Sequence, residues 1–194
     1  MKKNILILLL FALAACSAHT IIVADVDLLS LAGAADELSG DITVPGNIQV
    51  YLPDADDNLL TPDGGYLIDG LPVLENIYGL GIELEVAVKN TGSGSLSFST
   101  DFRLSAADDN LNIYDTIKDV SLAKDSLDLD PGDSGIIKLA ATLEQGDANL
   151  SLISNDGFRV GVALAASGNT TAHYEITGFK VIAKQRPFEL IPPP

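Results

Sequence analysis

Several stretches of this chain alternate apolar and polar residues with period two, and that pattern restricts the fold more than any other feature. In GIELEVAVKN, Ile82, Leu84, Val86 and Val88 fall on one side and Glu83, Glu85 and Lys89 on the other. SLSFSTDFRL repeats the pattern, with Leu96, Phe98, Thr100, Phe102 and Leu104 set against Ser97, Ser99, Asp101 and Arg103. Ile137, Leu139, Ala141 and Leu143 form a third such series, and Phe158, Val160, Val162 and Leu164 a fourth. Successive strand side chains point to opposite faces, so each stretch reads as a strand with one dry and one wet face. One-sided strands belong to antiparallel sheets, and two such sheets must cover each other. The expected fold is therefore all-β: an antiparallel, immunoglobulin-like β-sandwich of about seven to nine strands.

The intervening residues fill in the plan. Asn90–Gly94, NTGSG, reads as the turn of a hairpin joining the first two series. ASGNT, residues 166–170, reads as another turn. After it Tyr174 and Ile176 share a face, but the next large apolar residues are Phe179 and Val181. That slip of one residue predicts a β-bulge at Thr177–Gly178. Over DLLSLAGAADEL, residues 27–38, the apolar positions Leu28, Leu31, Ala32, Ala35 and Leu38 have helical spacing, with Asp27 as cap and Gly40 as stop. One short N-terminal helix is thus allowed. Pro53 to Gly65 is a loop of turn residues, Pro72 argues against a central strand in its vicinity, and RPFELIPPP is an extended tail. The sandwich is placed at 22–186 and the proline-rich tail at 187–194.

LEVAVKNTGSGSLSF, followed by LDLDPGDSGIIKLAATL, resembles the immunoglobulin-like CARDB modules of bacterial envelopes. It is also similar to the water-stress type of late embryogenesis abundant domain. The shared features are a strand ending in Asn, a tight turn, a second amphipathic strand, and a leucine-x-x-Pro-Gly lead into a further strand. The resemblance covers about residues 80–184 and implies the sandwich fold.

The N-terminus has the layout of an export signal. Lys2 and Lys3 precede an apolar run from Ile5 to Ala12, and small residues follow. The run is too short to span a bilayer as a mature helix, which needs about 20 residues. Leu13-Ala14-Ala15-Cys16 then resembles the lipobox of bacterial lipoproteins, and Cys16 is the sole cysteine of the chain. The resemblance implies removal of the signal peptide 1–15 and acylation of Cys16. Residues 16–21 then form a tether. Ser17 in second place implies, by analogy with enteric bacteria, the outer membrane. Two or three acyl chains give stable attachment at about 0.8 kcal/mol per buried methylene.

Charge narrows the partners. The 194 residues carry 27 acidic and 11 basic side chains, a net charge of −16. Loss of Lys2 and Lys3 with the leader takes this to −18. Such a surface repels nucleic acid, which needs clustered Lys and Arg.

Candidate chemistry is sparse. Gly132-Asp133-Ser134-Gly135 matches part of a serine-protease motif and Thr171-Ala172-His173-Tyr174 faintly matches its histidine motif, but the order is reversed. Ser121-Leu122-Ala123-Lys124 fits Ser-x-x-Lys, whose two residues must share a helix face. Glu83 and Glu85 lie about 7 Å apart on a strand, at ~3.4 Å per residue, a separation suited to inverting glycosidases. Transition metals need His or Cys clusters, and only His19 and His173 exist. Calcium is the sharper candidate: Asp54, Asp56 and Asn58 place oxygens at positions 1, 3 and 5 of a loop, though Leu59 and Gly65 occupy the EF-hand glycine and glutamate positions. Asp108, Asp109 and Asn110, with Asp115, form a second acidic cluster. The expectation is a lipid-anchored cell-envelope protein whose sandwich binds or scaffolds without catalysis. Its partner would be an envelope protein or cell-wall polymer. The alternatives are a calcium-dependent adhesion module and a carrier of an apolar ligand between the sheets.

Overall fold

Each alternating stretch becomes a strand, and their apolar faces share one core. The structure is a computed structural model that describes residues 22–27, 38–53, 58–69, 77–153 and 157–185. Eight strands follow in order: β1 (Ile22–Asp27), β2 (Ser39–Leu52), β3 (Tyr66–Ile68), β4 (Ile77–Asn90), β5 (Leu96–Ala106), β6 (Asp119–Leu129), β7 (Ser134–Glu144) and β8 (Phe158–Gln185). All pairings are antiparallel. The antiparallel β-sandwich expected from the alternation is present.

Two strands belong to both layers. The first half of β8 pairs with β5 on one side and with β3 and the end of β2 on the other. Its second half pairs with β4 on one side and with β1 and the start of β2 on the other. β6 completes the first sheet beyond β5, and β7 completes the second beyond β4. The β2–β8 ladder therefore crosses from sheet to sheet, and the layers are continuous along that side. The crossing lies where Gly46 pairs with Gly168, at φ +120° and +142°. These angles disfavour any residue with a Cβ, and a Cβ on Gly168 would collide with the carbonyl oxygen of Ser95.

The core is aromatic and aliphatic. Phe98, Phe102, Phe158 and Tyr174 are fully buried, with Leu84, Val86, Leu104 and Ile137 around them. Burial of such side chains contributes roughly 1.5–3 kcal/mol each. At the loop end the short 3-10 turn Ala148–Leu152 touches both β5 and β7. Its Leu150 and Leu152 pack on the core with Ile153. The two sheets thus terminate at the same place, opposite the β4–β5 connection.

Two expectations are corrected. β4 and β5 are not a hairpin. They pair with different partners and lie in opposite sheets, joined by an arch whose Thr91 and Gly92 N–H groups both donate to the Thr171 carbonyl, at 2.9 and 3.1 Å. Alternation gives the same signal whether the chain turns within a sheet or across the core. ASGNT is likewise no turn: residues 166–170 stay in β8, bent at Gly168. The expected bulge is present, since Glu85 pairs with Gly178 and Val86 with Ile176, which leaves Thr177 over. Of the expected helix 27–38, residues 28–37 lie outside the described residues, while Asp27 ends β1 and Gly40 lies in β2. The leader, the tether to residue 21 and the tail from residue 186 also lie outside them.

Candidate functional site

The residues singled out by sequence do not gather in one place. Cys16, Asp54 and Asp56 lie outside the described residues. Asn58 is described, and its side chain closes a local turn. Its Nδ2 donates to Thr61 Oγ1 at 2.7 Å, and its Oδ1 accepts from Leu60 N–H at 3.3 Å. Among the described residues no group of three or more His, Cys, Asp or Glu is placed to hold a metal ion. In the second acidic loop Asp109 accepts the Ser105 hydroxyl at 2.6 Å, and Asp115 accepts from Ile117 N–H at 2.9 Å. These carboxylates hold the loop in shape.

The catalytic motifs are pulled apart. Ser134 opens β7 and His173 lies in β8, with Lys89 of β4 paired to both. Both line one shallow depression, with Lys89 between them and two strand spacings, about 10 Å, separating their backbones. His173 instead faces the Asp41 carboxylate at 3.0 Å. Ser121 and Lys124 sit on a strand, not a helix, and both engage Asp101, at 2.5 and 2.9 Å. Glu83 and Glu85 share the outer face of the second sheet, where Glu85 pairs with Lys138 at 2.6 Å.

Asp101 belongs to a charge cluster that the sequence reading missed. Arg103 donates through Nε to Asp119 Oδ1 at 2.8 Å, and its Nη1 lies 3.3 Å from Asp101. The Asp119 side chain is fully buried and that of Arg103 is 7% exposed. The second oxygen of Asp119 accepts from Thr116 N–H at 2.7 Å. The loop 107–118 is folded over the outer face of the first sheet to cover this pair. Tyr114 fixes it there, donating its hydroxyl to the Leu52 carbonyl at 2.9 Å and packing against Tyr51 with ring centroids 4.7 Å apart and planes tilted by 56°. Burial, and secondarily the Asp63 charge, holds the Tyr114 phenol well above the usual tyrosine range. Arg159 adds bonds to the Ala107, Gly64 and Gly65 carbonyls. The available signal was an arginine two residues after an aspartate at polar strand positions, Asp101-Phe102-Arg103, with a further aspartate, Asp119, opening the next strand.

Beside the covered part, the outer face of the first sheet is open. Register sets Ser167 between Ser97 and Asn47, and Ala165 between Ser99 and Gln49. These small side chains floor a shallow groove whose flank carries the Asn47 and Gln49 amides. The tilted Tyr51–Tyr114 pair stands at one end of it. The groove offers the Ser97, Ser99 and Ser167 hydroxyls and the Asn47 and Gln49 amides on paired strands.

No family model matches the chain, and no curated protein does. It is similar in fold to a chain from the structure of infectious bursal disease virus Gx strain, with 12% identity over 87% of this chain and 37% of that one, at a TM-score of 0.44. The chain spans about a third of the viral protein's length. A family 16 carbohydrate-binding module is similar at 11% identity over 71% and 72% of the two chains, with a TM-score of 0.33. So is a Clostridium thermocellum xylanase 10B structure with CBM22-1 and GH10 modules complexed with xylohexaose, at 9% identity over 76% and 26%, also with a TM-score of 0.33. The likeness is distant and lies in the fold alone.

Proposed function

We propose that the chain is a lipid-anchored cell-envelope protein whose β-sandwich binds or scaffolds without catalysing a reaction. The observation that carries this reading is the leader ending in Leu13-Ala14-Ala15-Cys16, six residues ahead of β1. Acyl chains on Cys16 supply the membrane affinity that a surface of net charge −18 cannot. β1 is paired along its whole length with β8, so the anchor acts on the folded domain through a short tether. The groove over Ser97, Ser99 and Ala165 is the surface on which a neutral, polar partner fits best. The outer membrane is the proposed location, on the strength of Ser17. Fractionation of cells carrying wild type or Cys16→Ser tests the reading. The wild type is expected in the membrane pellet after a high-salt wash and the variant in the soluble fraction, with the same circular dichroism. A variant that stays with the membrane after that wash sinks the anchor.

A further inference from the structure

Large apolar side chains left in water are unevenly placed on this molecule. Val23, Leu60, Tyr66, Leu111 and Ile117 are all exposed at the loop end, and among the described residues Ile136 is their counterpart near the arch. Leu111 and Ile117 are 83% and 79% exposed. The two loops that carry Leu60 and the Leu111–Ile117 pair are bonded to each other, Ile113 N–H donating to the Asp63 carbonyl at 3.0 Å. Tyr114 and Arg159 hold the same loops to the sheet, so the apolar tips project from a fixed base.

β1 begins at this same end. Ile22 pairs with Gln185, the last residue of β8, which also pairs with Ile77 at the start of β4. Cys16 precedes Ile22 by six residues, a span of about 20 Å at most when extended. Whatever surface holds Cys16 therefore lies close to the loop end and far from the arch.

We infer that the loop end is a second membrane contact, with Leu111 and Ile117 dipping into the apolar edge of the lipid surface to which Cys16 is fastened. This rests on the anchor reading. Exposed large apolar side chains on one loop are a feature of interaction surfaces, and such groups gain by leaving water for the apolar edge of a bilayer. Asp108 and Asp115 flank the tips, so the surface is a zwitterionic one; anionic headgroups would repel them. The contact fixes the orientation of the domain and turns the arch away from the bilayer.

The chain contains no tryptophan, so each single substitution creates a lone reporter. Leu111→Trp, Ile117→Trp and, at the distant end, Ile136→Trp are made in the full acylated chain. Each is reconstituted into phosphatidylcholine vesicles with or without bromine on the acyl chains. Bromine is expected to quench the reporters at 111 and 117 at least two-fold and to leave that at 136 unchanged. A chain that floats with the vesicles while 111 and 117 are quenched no more than 136 overturns this inference and leaves the anchor standing. A chain that does not float overturns both.

Discussion

The two ends of the sandwich are closed in opposite ways. At the arch end one neutral side chain, Asn90 of β4, ties the arch to β6 and β8. Its Nδ2 donates to the Gly94 and Leu129 carbonyls at 2.8 and 3.2 Å, and its Oδ1 accepts from Gly92 N–H and the Thr170 hydroxyl at 3.2 and 2.7 Å. Its backbone binds the β6–β7 turn at Asp133 and Gly132. Four segments are tied through one amide, in a corner so tight that a Cβ on Gly92 would strike the Thr170 hydroxyl. The loop end is closed by long connections, held down by the Arg103–Asp119 pair and Tyr114, with apolar tips beyond. Short neutral bonds suit an end that only has to stay shut. Charges that clamp loops suit an end that presents them.

This contrast can be tested by breaking each end in turn. Arg103→Ala leaves Asp119 buried without its cation, and loss of one partner of a buried pair costs about 3–5 kcal/mol. For a domain of this size that lowers Tm by roughly 10 °C, readable by thermal denaturation. Hydrogen exchange should show the loss concentrated in residues 101–121. Asn90→Ala strands several buried groups at once and should cost about 2–4 kcal/mol in urea unfolding. Here faster exchange should centre on residues 90–96 and 168–172, and loss shared equally by both ends would erase the distinction drawn between them.

A smaller effect tests the loop clamp by pH. The folded pKa of Tyr114 is raised, so the folded state keeps a proton that the unfolded state releases near pH 10. Its contribution is intact below that pH and is lost as pH rises beyond it. Tyr114→Phe removes this titration and one hydrogen bond to Leu52, costing about 1 kcal/mol at neutral pH. Its alkaline decline in Tm should be shallower than that of the wild type. The smallest effect is at the tips: Leu111→Ser should change unfolding stability by less than about 0.5 kcal/mol, because an exposed side chain has little packing to lose.

Much of this was legible in the sequence, for local reasons. The dry faces of β4 and β5 follow from alternation at Ile82–Val88 and Leu96–Leu104, and the slip from Ile176 to Phe179 located the bulge at Thr177. What alternation cannot encode is which sheet a strand joins. NTGSG suits a hairpin and an arch equally, and the choice falls to Asn90 and Thr170, eighty positions apart. ASGNT looked like a turn because Gly168 bends the chain, but β2 remains paired through the bend. The candidate site was less legible. Ser121 and Lys124 meet through Asp101, a partner on another strand, and the groove at Ser97, Ser99 and Ala165 exists only because register sets small residues side by side. The lipobox resemblance at Cys16 is contiguous in sequence, and that residue lies outside the described ones.

The most direct test of the central claim is the intact mass of the chain extracted from membranes. The account predicts a protein that starts at Cys16 and carries the added mass of a thioether-linked diacylglycerol, with the further acyl group where the amine is modified. A chain that retains Met1, or one cut elsewhere with an unmodified Cys16 thiol, would contradict it.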